Sequence, residues 1–167
     1  MGRILIKYAT IFIVLVLVQV LFLNQVQFSG FANPYIYILF VMLLPISSPK
    51  YVVLILAFLL GLSVDIFSNT LGIHAVATVF IAYLRPLVIR LITNREEDMS
   101  DYPGLKQNGI GWFLYYTTLL VVLHHSVLFF VEVFTFANFW GTLSRIAVSS
   151  VFSIFVIVLS QFIVFRD

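Results

Sequence analysis

The chain has 167 residues, of which 62% are hydrophobic, 17% aromatic and only 10% charged, with a formal net charge of +2. A soluble domain carries roughly 25% charged residues. That deficit excludes a soluble enzyme, a disordered tail and a nucleic-acid binder. With a mean hydropathy of +1.13, the composition predicts an integral membrane protein of one domain. No cysteine is present, which excludes disulfides and thiolate metal sites.

Six apolar runs are candidate transmembrane helices, at residues 4–23, 34–47, 49–67, 72–92, 110–134 and 138–165. Arg3 and Lys7 open the first run like the charged region of a signal peptide. However, Asn24, Gln25, Val26 and Gln27 offer no small-residue cleavage site, so a retained helix is expected. In the second run, Asn33 and Pro34 are expected to cap and start a helix. Pro45 then arrives too early for a full crossing, and the sequence predicts either a kink there or a partly re-entrant helix. Ser48 and Pro49 follow as the cap and first position of the third helix.

Basic residues cluster on alternate connections. Arg3, Lys7, Lys50, Arg85, Arg90, Arg95, Lys106 and Arg166 all fall on one side of a six-span layout, and Arg145 is the exception. The positive-inside rule makes this an N-in, C-in topology with the 93–109 loop in the cytoplasm. That loop holds Arg95, Glu96, Glu97, Asp98, Asp101 and Lys106 and reads either as a solvated linker or as a docking segment.

Apart from that basic cluster, three charged residues lie inside predicted spans: Asp65, Glu132 and Arg145. A charge in the hydrocarbon costs at least about 2.5–3.5 kcal/mol, so these are expected to face protein and pair. The topology places all three at similar depth, as a cluster with either a structural or a binding role. Gly111, Thr118, His125 and Glu132 form a seven-residue stripe on the fifth helix, and Gly141, Arg145, Ser149 and Ser153 form a row on the sixth. The two faces are expected to meet and bring Glu132 to Arg145. His124 and His125 point about 100° apart, so no metal site is expected, and His125 joins the polar cluster. No phosphate loop, nucleophile elbow or dinucleotide fingerprint occurs, which predicts no catalytic residues, no enzyme and no cofactor.

The most distinctive run is residues 61–75, with Gly61 one turn before Asp65, a polar turn, and Gly72 opening the next helix before His74. Together with the basic N-terminal helix, the Asn33–Pro34 start, Arg85–Pro86 and the overall length, it resembles the rod-shape-determining protein MreD family. The resemblance implies an all-α bundle of six transmembrane helices, similar to the substrate-binding subunits of energy-coupling-factor transporters. It further implies a non-enzymatic scaffold of the bacterial inner membrane, supporting cell shape and lateral peptidoglycan synthesis. The implied partners are the span of MreC, the MreB filament, the glycosyltransferase–transpeptidase pair and membrane lipids, and self-association into a homodimer is left open. The motif residues carried over are Gly61, Asp65 and Gly72. The alternative is a small-molecule-binding subunit of a vitamin-type transporter, against which the short, nearly uncharged outer loops speak.

Overall fold

The computed structural model describes residues 2–25, 33–93, 100–134 and 138–163, with only the backbone of Arg3. Five long helices make up most of it: α1 (Gly2–Leu21), α3 (Lys50–Ser68), α4 (Ile73–Ile92), α5 (Leu105–Val133) and α6 (Phe139–Ile163). A short α2 (Ile38–Leu43) lies between the first two, and no strand occurs among the described residues. Each long helix is apolar enough and long enough to cross a bilayer. All five expose large apolar side chains, among them Leu5, Phe58, Tyr83, Tyr115 and Phe155. Such a surface is compatible with lipid and not with water. The chain is a multi-pass membrane protein.

Most predicted boundaries agree with the helices to within two residues. For α5, hydrogen bonding continues from Leu105, but Gly109 at φ +81° breaks the helical dihedrals, so the long rod begins beside the expected residue 110. The second span is the main correction. Instead of a helix over 34–47, the chain is non-helical through residues 33–36, makes six helical residues, and leaves the helix at Leu44. Asn33 and Pro34 do not start a helix there, because the backbone amides that follow are taken by other parts of the protein. Asn33 N–H donates to Ser149 Oγ at 3.2 Å, Tyr35 N–H to Ser153 Oγ at 2.8 Å, and Ile36 N–H to Gln19 Oε1 at 2.9 Å. Non-helical backbone is tolerated at membrane depth only when protein satisfies it, and α1 and α6 supply the acceptors.

This broken segment is the centre of the core. Tyr37, Ile38, Leu39, Val41 and Met42 have no exposed surface at all. Near one end of the long helices, Gln19 Nε2 donates to Asn24 Oδ1 and to the Pro34 carbonyl, while Asn24 Nδ2 donates to Ser68 Oγ at 3.0 Å. We call this the Asp65 end. At the other, Ile46 N–H donates to the Asp101 carbonyl at 2.8 Å, and the Asp101 carboxylate takes both the amide and the hydroxyl of Ser47. Lys7 lies over the Tyr102 ring there, and Leu105 N–H reaches Gln161 Oε1. Most of the predicted 24–33 connection, Arg95 with Glu96, Glu97 and Asp98, the 135–137 turn and Arg166 lie outside the described residues.

Candidate functional site

The run 61–75 folds as the hairpin between α3 and α4. Asn69 ends α3 in the left-handed region, its N–H on the Asp65 carbonyl, and Gly72 turns the chain at φ +82° into α4. The helices meet so closely at Gly61 that a Cβ there would overlap the Ala75 Cα and stand 2.7 Å from the Ala75 nitrogen and the His74 carbonyl. Only glycine fits that contact.

Asp65 is not part of an ion-paired cluster with Glu132 and Arg145, contrary to expectation. Its carboxylate is consumed by the start of α4. Oδ1 accepts from Thr70 Oγ1 at 2.5 Å and His74 N–H at 3.0 Å, with His74 Nδ1 at 3.1 Å, and Oδ2 accepts from Ala75 N–H at 2.9 Å. Asp65 therefore caps α4 from the preceding helix, satisfying two otherwise orphaned amides and opposing the positive end of the helix dipole. The carboxylate is 2% exposed and needs no distant cation.

The structure does bring Glu132 and Arg145 together, with Arg145 Nη1 3.0 Å from Glu132 Oε2. The Arg145 guanidinium also lies 4.2 Å over the Phe129 ring. About two helical turns deeper, His125 Nε2 meets Ser153 Oγ at 3.0 Å, while its Nδ1 lies 2.8 Å from the Val121 carbonyl. The stripes on α5 and α6 thus touch at two levels. Gly111, at the far end of the α5 stripe, is exposed.

Glu132, Arg145 and His74 share a cleft of about 440 Å³ at the Asp65 end. Asn24, Asn33, Tyr35, Ser68 and Thr70 add polar atoms to its wall, and Val20, Leu21, Phe67, Ile73 and Leu128 add apolar ones. Tyr35 forms its floor. The Tyr35 ring stands 5.6, 6.2 and 5.4 Å from the rings of His74, His124 and His125, so one side chain gathers all three histidines. Below it, Tyr37 Oη lies 2.8 Å from His124 Nε2. Spacing along the long helices gives no hint of this grouping, because Tyr35 arrives on the non-helical segment and Tyr37 at the start of the short α2.

A second polar group closes the opposite end of that segment. By sequence position Arg85 groups with the loop charges, yet α4 continues past Pro86 and leaves Arg85 buried within the protein. Its Nε donates to Tyr116 Oη at 2.9 Å, Nη2 to the Leu44 carbonyl and Nη1 to the Pro45 carbonyl at 3.5 Å, and Tyr116 Oη donates to the Met42 carbonyl at 3.0 Å. A cation at a helix C-terminus complements the dipole and the unsatisfied carbonyls. The fixed fork of arginine reaches two carbonyls and a phenol at once. The sequence signal lies in the span length: a 20-residue run from 73 to 92 places Arg85 inside it.

No protein-family model, no curated protein and no solved structure matches the chain.

Proposed function

We propose that the chain is a non-enzymatic scaffold subunit of MreD type in the bacterial cytoplasmic membrane. In this reading it crosses six times, with segment 33–49 as the second crossing, and both termini and the 93–109 loop face the cytoplasm. It acts by helix recognition in the membrane, binding the span of MreC and linking it to MreB and the cell-wall synthases. What supports the reading is the 61–75 run that carries the family resemblance. Gly61, Asp65 and Gly72 each take part in building the α3–α4 hairpin. The outward side of that hairpin holds an apolar groove of about 650 Å³, lined by Phe58, Leu62, Val76, Val79 and Phe80 among others. Ridged apolar faces with small residues suit helix packing in lipid. Depletion in a rod-shaped host should turn cells round, and MreC should co-purify from native membranes. Cells that keep their width, with MreC absent from the complex, would sink the assignment.

A second reading, a small-molecule-binding subunit, is favoured by the polar cleft at the Asp65 end. Segment 33–49 brings non-helical backbone to that cleft at Asn33 and Tyr35, and membrane transporters likewise build binding sites where helical structure is interrupted. Retention of a defined small molecule through purification would support it over the scaffold.

A further inference from the structure

The cleft at the Asp65 end has a charge layout more specific than its volume. Arg145 approaches Glu132 through Nη1 at 3.0 Å. Its guanidinium is held in place by the Phe129 face, and 24% of the side chain remains exposed. Glu132 is 39% exposed, so one carboxylate and one guanidinium stand side by side, both open to the cleft. His74, which also lines the cleft, places Nδ1 on Asp65 and Thr70. Among the apolar residues that line the cleft, Leu21 and Phe67 are about 60% exposed.

The depth of the site matters as much as its charges. It lies where α1 and α3 end and α4 begins, at the level where a bilayer changes from hydrocarbon to headgroups. A guanidinium recognises phosphate through several N–H donors at once. A neighbouring carboxylate recognises a cation that can donate hydrogen bonds. Apolar side chains at the mouth accept acyl chains. We propose that this cleft binds an aminophospholipid headgroup, with its phosphate on Arg145 and its primary ammonium on Glu132. The inference rests on the cleft being a ligand site and is independent of the scaffold assignment. It names a zwitterionic phosphate–ammonium group as the ligand chemistry and the membrane as its source.

The test uses the full-length protein, purified in detergent and offered lipids in native mass spectrometry. Phosphatidylethanolamine should be retained about tenfold more than phosphatidylglycerol, which lacks the cation. It should exceed phosphatidylcholine similarly, because a quaternary ammonium has no N–H to give Glu132. Leu21→Trp, which fills the cleft without stranding a charge, should abolish the preference while leaving the melting temperature unchanged. Glu132→Gln should remove the preference over phosphatidylglycerol but keep lipid bound. Equal retention of the three lipids by the wild-type protein, or a preference that survives Leu21→Trp, would overturn the proposal. Soluble glycerophosphoethanolamine separates the sources. Displacement of bound lipid by it in excess supports headgroup recognition, whereas binding of the soluble molecule without any lipid retention would refute a membrane source. Retention of an unrelated vitamin-like molecule in the same cleft, with no lipid preference, would refute the aminophospholipid and leave the small-molecule reading standing.

Discussion

Ser153 Oγ accepts the Tyr35 amide proton at 2.8 Å and lies 3.0 Å from His125 Nε2, joining α6, α5 and the broken second segment at one atom. Tyr35 is held by a hydroxyl 118 residues away because its own neighbours do not form a helix there. Each amide of the non-helical stretch left without an acceptor would be a polar group stranded in a dry interior.

Ser153→Ala is therefore expected to destabilise by about 1–3 kcal/mol, the usual cost of an unsatisfied buried donor. Ser149→Ala, which strips the acceptor from Asn33 N–H, should cost a similar amount. Ser144 is exposed and donates to the Gly141 carbonyl of its own helix, so Ser144→Ala should stay within about 0.5 kcal/mol. Melting in detergent, followed by circular dichroism, measures all three. If Ser153→Ala melts like Ser144→Ala, these hydroxyls do not hold the segment.

Hydrophobic run length and loop charge make the five long helices legible, because each depends on local composition alone. The Glu132–Arg145 approach is legible too, through seven- and four-residue spacing on α5 and α6. The second span is not. Pro45 signals a break, but the state of residues 33–36 depends on Gln19, Ser149 and Ser153, which lie far away in sequence. Asp65 misleads for a related reason. A carboxylate inside a span looks like a charge in need of a counter-ion, whereas here it meets four donors from the following turn and the start of the next helix within ten residues.

Arg85 should be intolerant of the conservative change. Arg85→Lys keeps the charge but replaces a planar fork by a point charge that cannot hold Tyr116 Oη and two carbonyls together. A loss of about 2–3 kcal/mol is expected, in the range of charge-assisted hydrogen bonds. Tyr116→Phe removes one bond to Arg85 and one to Met42 and should cost about 1–2 kcal/mol. The double mutant should lose less than the sum, since both act on the same bonds. Additive losses would show that Arg85 and Tyr116 act separately.

The α3–α4 hairpin gives a steric prediction and a polar one. Gly61→Val must push α3 away from the Ala75 backbone, so membrane abundance should collapse, while the same change at exposed Gly111 should be tolerated. Asp65→Ala leaves the His74 and Ala75 amides without their cap and should cost about 1–3 kcal/mol. Asp65→Asn retains an acceptor for one amide and should fall in between. A stable Gly61→Val protein would contradict the close approach.

Topology can be read with cysteines placed in the cysteine-free chain. Leu71 is fully exposed in the α3–α4 turn, and Lys106 is exposed at the start of α5. Leu71→Cys should react with a membrane-impermeant thiol reagent added outside spheroplasts, and Lys106→Cys only after lysis. The reverse pattern would invert the proposed orientation, and labelling of both from outside would break the six-crossing layout.

The Glu132–Arg145 pair looks from sequence like a buried ion pair, whose disruption costs about 3–5 kcal/mol. The cleft changes that expectation. With 24% and 39% of the two side chains exposed, solvent screens the pair, and a coupling energy of about 1 kcal/mol or less is expected. The two single mutants should also differ. Glu132→Leu leaves Arg145 stacked on Phe129 and open to the cleft, whereas Arg145→Leu removes both the ion pair and the contact with the ring. Such a cation–ring contact adds about 0.5–1 kcal/mol at an exposed site. Arg145→Leu should therefore melt lower than Glu132→Leu, and Phe129→Leu should narrow the gap between them. A coupling of several kcal/mol in the double-mutant cycle would mean that the pair is dry and the cleft closed over it. Equal melting of the two single mutants would remove Phe129 from the account of how Arg145 is held.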